Sequence, residues 1–392
     1  MKKDVLTLDG QNQSAARLES EITRLLRRME AIDQSGHYAE LIIHRSWSKH
    51  NPTISGEFSR PKVFAWYLKR EIRRLLSRGA RIELHSSRLK TPLGSPALLQ
   101  TLDEDEWDFT RKKLFLFSPE RIALSLDRLE HYTGTRAEDF QRYVIFTNYS
   151  MHTEVFQKRF PRCARPSRRG VQMPAYHHRL PDSAGVTLIN IGVGPSNAKT
   201  CSDHVAVLRP DLMIMAGHCG GLRNHQDIGD YVLASGYMRA DGIFDAILPQ
   251  SVPLAPNHLL NVHLRDVLDH LSQPYRVGTV YTTANRNWEF ARARTLSEIH
   301  VSRSIAIDME SATIAANGFR YRIPSATLLC VSDKPLHGKP KLSTHARRFY
   351  GNSKEKHIDV ILRAIQAIKK SHPGGLPNDS LRTADEPLLG GT

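Results

Sequence analysis

The chain has few cysteines and no long apolar run, and each shortage argues against a class of protein. Four of its 392 residues are cysteine (Cys163, Cys201, Cys219 and Cys330), and none stands in a CxxC pair. This count argues against a zinc site or a redox motif and is typical of a reducing cytoplasm. The apolar runs have strand length and fall short of the roughly 20 residues of a membrane helix. Residues 1–14 begin with basic residues but lack an apolar core, which predicts no signal peptide.

Acidic residues are too few to balance the basic ones. Lys and Arg number 55 against 40 Asp and Glu, which gives a formal net charge of +15. Such an excess favours anionic partners, namely nucleic acid, anionic lipid or phosphorylated metabolites, without choosing among them. It is also compatible with solubility alone. The sequence contains no recognised nucleic-acid-binding module, so nucleic acid is a disfavoured partner.

Length and pattern together predict two domains and two tails. Residues 1–18 are polar and are predicted to form a flexible tail. Residues 19–140 mix amphipathic helices with short strands, as in a small α+β domain for regulation or oligomerisation. Residues 141–372 alternate short apolar strands with helices, which is typical of an α/β fold with helices on both faces of a mixed sheet. Residues 373–392 are rich in proline and glycine and are predicted to form a C-terminal tail.

A basic segment lies at the start of the α/β region. Residues 158–170 carry six basic residues and no acidic one, and their two prolines argue against a regular helix. The segment is either a solvated loop or an anion site or contact between subunits.

Two glycine-rich turns follow apolar strands. The first includes Gly192 and Gly194, and a helix begins after it at about Ser196. Free amides at such a helix start favour an anion, although a purely structural turn is equally compatible with the pattern. The second turn places His218 and Cys219 among glycines, where a planar ligand could approach or where the backbone packs closely. A catalytic Cys–His pair is disfavoured because no third orienting group lies nearby in the sequence.

Two further segments place carboxylates at the ends of apolar stretches. Asp308 and Glu310 flank Met309 before an alanine-rich helix, where they could cap that helix or accept hydrogen bonds from sugar hydroxyls. Capping is the favoured role for Asp308. A buried strand ends directly in Ser332-Asp333, which is either an ordinary turn or a partly desolvated acid placed for ligand chemistry.

These segments, in this order, resemble the nucleoside phosphorylase/nucleosidase superfamily. Its members share a strand with a glycine loop, a G-x-x-G-G turn followed by an I-G-D strand entry, an M-E pair and a terminal S-D. Here the I-G-D element is residues 228–230. The branch that hydrolyses AMP is especially similar, through INIGVGPSNAKT, GHCGGL, NRNWE, IDMESATIAA and LLCVSDKPLHG. The resemblance covers residues 120–390 closely and residues 35–90 loosely.

The resemblance implies a three-layer phosphorylase/nucleosidase-like fold with a mixed central sheet, after a small α+β N-terminal domain. It also implies hydrolysis of AMP to adenine and ribose 5-phosphate, in purine salvage and control of adenylate levels. The N-glycosidic bond would break through an oxocarbenium-like transition state. Asp333 would protonate the imidazole nitrogen of adenine, with Ser332 orienting it. Glu310 would grip the ribose hydroxyls, and Met309 would lie under the ribose.

Further site residues are implied by the same resemblance. The backbone of Gly220 and Gly221 would face the base, and Asn287 and Trp288 would form a base loop. Trp288 either stacks on adenine or packs in the core. Glu154 would position or activate the attacking water, the alternative being an exposed helical glutamate. The candidates near the phosphate or the water are Gly194, Ser196, Asn197 and Lys199.

The resemblance implies no metal or organic cofactor and a homo-oligomer, either a hexamer or a dimer-based assembly. ATP and phosphate are effectors of longer relatives, and the shorter N-terminal region here puts such regulation in doubt. Two other functions compete with hydrolysis. One is phosphorolysis on the same fold, and the other is an inactive protein that binds nucleotides or nucleic acid.

Overall fold

The computed structural model describes residues 6–9, 14–49, 52–107, 115, 117–339 and 343–376. The chain separates into two compact units. The first runs to Arg128 and includes Val207–Arg209, and the second comprises Leu129–Ala206 and the chain from Pro210 to Asp379. The sequence analysis placed the boundary between its two domains at residue 140, whereas this division falls inside a helix.

The first unit is built on an antiparallel sheet with strand order β1-β4-β2-β3. Its elements are β1 (Leu6–Asp9), α1 (Ala15–Gln34), β2 (His37–His44), β3 (Thr53–Phe58), α2 (Ala65–Ser77), β4 (Arg81–Leu89), α3 (Pro96–Trp107) and α4 (Pro119–Thr133), the last of which contains the division. Helix α1 buries one apolar face through Ile22, Leu25 and Met29, as the helical spacing of these residues requires.

The predicted flexible tail at residues 1–18 is wrong where the structure describes it. Leu6–Asp9 forms strand β1, in which Leu8 is buried and pairs with Ile82 of β4. Helix α1 begins at Ala15, and the Ser14 side chain accepts a hydrogen bond from the Arg17 amide at its start. A four-residue strand is too short to show a clear alternation, so its pairing with β4 decides its structure.

The second unit contains a mixed sheet of eight strands in the order β11-β10-β9-β12-β8-β5-β7-β6, and β11 also pairs with β8. Its elements are β5 (Tyr143–Thr147), α5 (Ser150–Arg159), β6 (Ala175–His178), β7 (Val186–Asn190), α6 (Pro195–Val207), β8 (Leu212–Gly221), β9 (Tyr231–Ala240), α7 (His258–His270), β10 (Tyr275–Thr283), α8 (Arg292–Ser302), β11 (Ala306–Asp308), α9 (Ser311–Tyr321), β12 (Ser325–Asp333) and α10 (Ser343–Ser371). The predicted α/β class with a mixed sheet is confirmed.

Strand β8 is the centre of this sheet. Every residue from Leu212 to Gly221 is buried, and the strand lies between two parallel neighbours, β12 and β5. At its carboxyl end β8 also pairs with β11 in antiparallel orientation. Because β11 is the terminal strand in the strand order, this pairing joins one edge of the sheet to its centre. The carboxyl ends of β5, β8 and β12 therefore lie together, where ligand sites of α/β folds form.

None of the helices in the described part of the chain combines the length and the apolar character needed to cross a membrane.

Candidate active site

Strands β12 and β11 both meet β8 at Gly220. In the register of the sheet, Asp333 lies opposite Gly220 on one side and Ile307 on the other. A Cβ atom added at Gly220 would stand 3.0 Å from Ile307 Cγ2 and 3.4 Å from the Pro335 ring. Glycine suits this position because a Cβ atom would lie unusually close to both side chains. This approach brings the chain after β11 and the end of β12 to one place.

Glu310 follows β11 and is almost fully buried. Its Oε1 accepts a hydrogen bond from the Gly194 amide at 2.6 Å, and its Oε2 accepts one from Asn148 Nδ2 at 3.0 Å. The glutamate thus joins three strand ends, since Asn148 follows β5 and Gly194 belongs to the turn after β7. Sequence analysis did not single out Asn148. The signal was its place directly after the apolar strand, in the FTNY segment.

Burial raises the pKa of Glu310, and the nearby Asp308 carboxylate raises it further. Asp308 is itself buried, and desolvation raises its pKa as well. It accepts hydrogen bonds from Thr282 Oγ1 at 2.6 Å and from the Ser311 amide at 2.9 Å. The second bond caps the start of α9, which is the role that the sequence favoured for Asp308.

Asp333 ends β12 and is only 8% exposed. The Ser332 hydroxyl donates to its Oδ1 at 2.6 Å and also lies 3.3 Å from the carbonyl oxygen of Cys219. The I-G-D element holds the strand just before this pair. The Gly229 amide donates to the Val331 carbonyl, and the Val331 amide donates to the Asp230 carbonyl, both at 2.9 Å. Gly229 has a φ of 106°, which favours glycine.

The glycine turn after β7 leads into α6. Gly194 has a φ of 114°, Pro195 is the first residue of the helix, and Ser196 is exposed. Asn197 lies near Gly192, since its Nδ2 would be 3.1 Å from a Cβ at that glycine. Lys199 instead pairs with Asp203 one helical turn later, at 2.6 Å. Its ammonium is therefore held by α6, and a role at the phosphate stays a prediction.

Trp288 is 6% exposed and packs in a cluster with Tyr281, Ile299 and Ile307. Core packing, one of the two alternatives for this residue, therefore explains its position. The neighbouring Asn287 is exposed. Phe290, which lies with Trp288 in a 3₁₀ turn (Trp288–Ala291), is 91% exposed. An adenine contact by Asn287 or Trp288 stays a prediction.

Other predicted site residues differ in burial. Gly221 is buried beside Val331, and Met309 is half-buried between the two carboxylates. Glu154 lies on the exposed side of α5, whereas its neighbours Thr153 and Phe156 are buried. The link between Glu154 and the attacking water stays a prediction.

The basic segment 158–170 is mostly exposed. After the end of α5 at Arg159 it forms an irregular loop, as its prolines predict. Arg168 donates to the carbonyl oxygen of His131 at 2.8 Å, and Arg165 to that of Pro161 at 3.1 Å. These contacts leave the positively charged heads at the surface, where an anion could reach them.

Comparison with known proteins places this geometry in a family. The model of the phosphorylase superfamily matches residues 147–367, more than half of the chain. The chain belongs to this superfamily, as its glycine turns and its strand-end carboxylates imply.

Individual proteins of this superfamily are similar to the chain to different degrees. The AMP nucleosidase of Escherichia coli is 43% identical over 69% of this chain, and the chain spans 64% of that relative. The crystal structure of an AMP nucleosidase from Bacteroides thetaiotaomicron superposes with a TM-score of 0.54 at 29% identity, covering 64% of this chain and 99% of that one. A purine nucleoside phosphorylase from Toxoplasma gondii, at 20% identity, shares the fold with a TM-score of 0.53 over 62% of this chain and 98% of its own.

The position of Trp288 predicts a structural effect. Replacing Trp288 by alanine should lower the free energy of unfolding by about 3–5 kcal/mol, because it removes a large buried ring from the cluster with Ile307. Urea denaturation measures this change. The matched control is Phe290→Ala, which should change stability by less than about 0.5 kcal/mol because the ring is exposed. Equal stability of the two variants would show that Trp288 is not part of the core.

The raised pKa of Glu310 predicts a pH-dependent effect of Glu310→Gln. The folded protein binds the proton more tightly than the unfolded chain does, so ionisation costs stability as pH rises above the ordinary glutamate value of about 4.3. The glutamine variant loses no stability in this way. Urea denaturation from pH 4 to pH 9 should show the wild type losing stability relative to Glu310→Gln as pH rises. Asp308→Asn, measured in parallel, separates the part that Asp308 contributes. A constant difference, or a gain for the wild type at high pH, would contradict the desolvated carboxyl.

Proposed function

We propose that this protein hydrolyses the N-glycosidic bond of AMP and releases adenine and ribose 5-phosphate. The observation that carries the proposal is the placement of two carboxyl side chains, Glu310 and Asp333, after two strands that meet at Gly220. Breaking this bond requires a proton for the leaving base and negative charge beside the cationic sugar. The similarity to AMP nucleosidases over 69% of the chain supports AMP as the substrate.

Asp333 is the proposed acid. As the bond between the sugar carbon and the purine breaks, its electron pair moves into the base, and Asp333 donates a proton to the imidazole nitrogen. The Ser332 hydroxyl donates to Oδ1 and would orient the carboxyl group. The backbone of Gly220 and Gly221, at the end of β8, is proposed to face the base.

Glu310 and Asn148 form the proposed ribose side. An ionised carboxylate has about four acceptor positions, and Glu310 accepts hydrogen bonds from the Gly194 amide and Asn148 Nδ2, with the Met309 backbone also acting on it. Sugar hydroxyls are the proposed further donors. Asn148 Oδ1 is buried and accepts no hydrogen bond from the described residues, so it offers another acceptor beside the same glutamate. Hydroxyl donors would favour the ionised form of Glu310, which stabilises an oxocarbenium ion.

The 5′-phosphate is proposed to lie near the start of α6. Free amides at a helix N-terminus and the hydroxyl of the exposed Ser196 can both donate to a phosphate. Asn197 is the neighbouring amide side chain. Arginines of the basic segment, or of another subunit, would complete the site through bidentate pairing, which selects a nucleotide over a nucleoside.

The cellular compartment, the assembly and the effectors of the enzyme are also proposed. All four cysteines lie within the described residues, and none forms a disulfide, which fits a reducing cytoplasm. A homo-oligomer is proposed from the resemblance to this superfamily, with a hexamer as the expected form. ATP and phosphate are proposed as effectors to be tested, with the first unit as the place where regulation or assembly would act.

Phosphorolysis is the second candidate, since the fold is shared with phosphorylases. In that reaction inorganic phosphate replaces water at the sugar carbon. The similarity to AMP nucleosidases, at 43% identity, exceeds the 20% identity to a guanosine phosphorylase of Halorubrum lacusprofundi, which favours water. An inactive nucleotide-binding protein is disfavoured because both carboxyl groups are present.

The role of Asp333 predicts the outcome of a direct assay. Purified protein in phosphate-free buffer should release adenine from AMP, and Asp333→Asn should lower kcat at least about 100-fold because it removes the acid. Chromatography of adenine and ribose 5-phosphate measures both products. Release that depends on added phosphate would indicate phosphorolysis. Absence of adenine under both conditions would contradict the proposed activity.

Two variants test separately the residue proposed at the ribose, Asn148, and the residue proposed at the attacking water, Glu154. Asn148→Ala should lower kcat/KM for AMP by about 10- to 100-fold, because a hydrogen bond to a charged group contributes about 1.5–3 kcal/mol. Glu154→Gln should lower kcat by a similar factor if Glu154 activates the water, without altering the unfolding free energy. Steady-state kinetics of both variants provides the comparison. An unchanged kcat in Glu154→Gln would remove that residue from the mechanism. A loss in Asn148→Ala alone would support the proposed role of Asn148 at the ribose.

A further inference from the structure

Three histidines from distant parts of the second unit meet in its core. His152 belongs to α5, His218 to β8 and His357 to α10, and each is at most 6% exposed. One ring nitrogen of each lies within 4.8 Å of the others. The ring centroids are 5.4 Å apart for His152 and His218, 4.9 Å for His152 and His357, and 5.9 Å for His218 and His357.

Two of the three rings form a hydrogen bond through one ring nitrogen to a residue outside the cluster. His357 Nε2 lies 2.9 Å from the carbonyl oxygen of Leu328, and a carbonyl can only accept, so Nε2 carries the proton and Nδ1 has a lone pair. His152 Nδ1 lies 2.7 Å from Thr147 Oγ1, which leaves Nε2 as its other ring nitrogen. Metal-binding histidines are oriented in this way by a partner on the far nitrogen.

The second ring nitrogens of His152 and His357 require an explanation. His152 Nε2 and His357 Nδ1 are buried and have no hydrogen-bond partner among the described residues. Buried polar atoms are normally satisfied, so an atom absent from the protein itself is expected between them.

We propose that His152, His218 and His357 bind one divalent transition-metal ion such as Zn²⁺. Imidazole nitrogens suit zinc, copper, iron and nickel, whereas magnesium and calcium prefer oxygen. Tetrahedral zinc with bonds of about 2.0–2.1 Å needs nitrogens roughly 3.4 Å apart, so nitrogens that lie up to 4.8 Å apart would approach each other by up to about 1.4 Å on binding. Three protein ligands leave a fourth coordination position for a small molecule such as water.

The ion would stabilise the floor of the proposed active site and takes no part in the proposed reaction. The Tyr149 ring packs against His218 with centroids 4.4 Å apart, and Tyr149 follows Asn148, the donor to Glu310. A Cβ added at Gly217, the residue before His218, would lie 3.5 Å from Asn148 Oδ1. Joining α5, β8 and α10 through a metal would therefore fix the turn that carries Asn148.

Metal binding by the full-length protein tests the proposal independently of AMP turnover. Protein treated with EDTA and dialysed should bind one Co²⁺ per chain, with visible absorption bands of tetrahedral strength that Zn²⁺ abolishes. Zn²⁺ should also raise Tm by several degrees, because it binds the folded state. X-ray absorption of the zinc-loaded wild type should show nitrogen ligands at about 2.0–2.1 Å. No stoichiometric binding, or a shell made of oxygen or sulfur, would overturn the proposal.

Variants locate the ion. His152→Gln and His357→Asn should each weaken Co²⁺ binding at least 100-fold, whereas His300→Asn, an exposed histidine on α8, should bind as the wild type does. Circular dichroism establishes that the variants fold. Undiminished binding in folded His152→Gln and His357→Asn would refute the site. If both variants fail to fold, the ligand shell of the wild type decides the proposal.

Discussion

Two strands approach β8 at Gly220 so closely that a side chain at this position would press against Ile307. The rest of the candidate site depends on this contact. Because β12 runs parallel to β8 and β11 antiparallel to it, their pairing at one residue brings both strand ends to the same edge of the sheet. A larger residue at Gly220 would press on Ile307 and Pro335, which lie next to the strand ends that carry Glu310 and Asp333. The glycine turn after β7 adds its own constraint, since the Gly194 amide is directed at Glu310.

Burial of the Glu310 and Asp308 carboxyl groups opposes folding, whereas the proposed reaction would use the carboxyl group of Glu310. Desolvation of Glu310 and Asp308 costs free energy, as the raised pKa values of both groups indicate. Asp308 recovers part of this cost by capping α9 and binding Thr282. Glu310 accepts hydrogen bonds from Gly194 and Asn148, the Met309 backbone also acts on it, and hydroxyl groups of a ligand would add further donors. A substrate that supplies these donors would stabilise the site in which it reacts.

Much of this architecture could be predicted from the sequence, because short apolar strands end in recognisable turns. The order of the glycine-rich segments, the Met309-Glu310 pair and Ser332-Asp333 predicted both the fold class and the strand ends where the candidate site lies. The second glycine-rich segment continues strand β8 to Gly221 and does not form the turn that the sequence predicted. Periodicity also predicted amphipathic helices within residues 19–140, where most of α1 and the whole of α4 lie.

Contacts between residues distant in sequence could not be predicted in this way. Asn148 bonds to a residue 162 positions later, and no local pattern contains that pairing. Trp288 begins a short 3₁₀ turn, and only the packing of Ile307 and Ile299 against it reveals a core residue. The three central histidines come from two helices and a strand, so their spacing in sequence carries no metal-site pattern. Strand β1 depends on pairing with β4, which four residues of sequence cannot signal.

The central claim is that Glu310 and Asp333 act on opposite parts of a single AMP molecule. A crystal structure of the Asp333→Asn protein with AMP bound tests it most directly, since this change should slow turnover without filling the site. The account predicts ribose hydroxyls within hydrogen-bond distance of Glu310, and the imidazole edge of adenine beside residue 333 and the Gly220 backbone. AMP bound away from Glu310, or with its base directed away from residue 333, would contradict it.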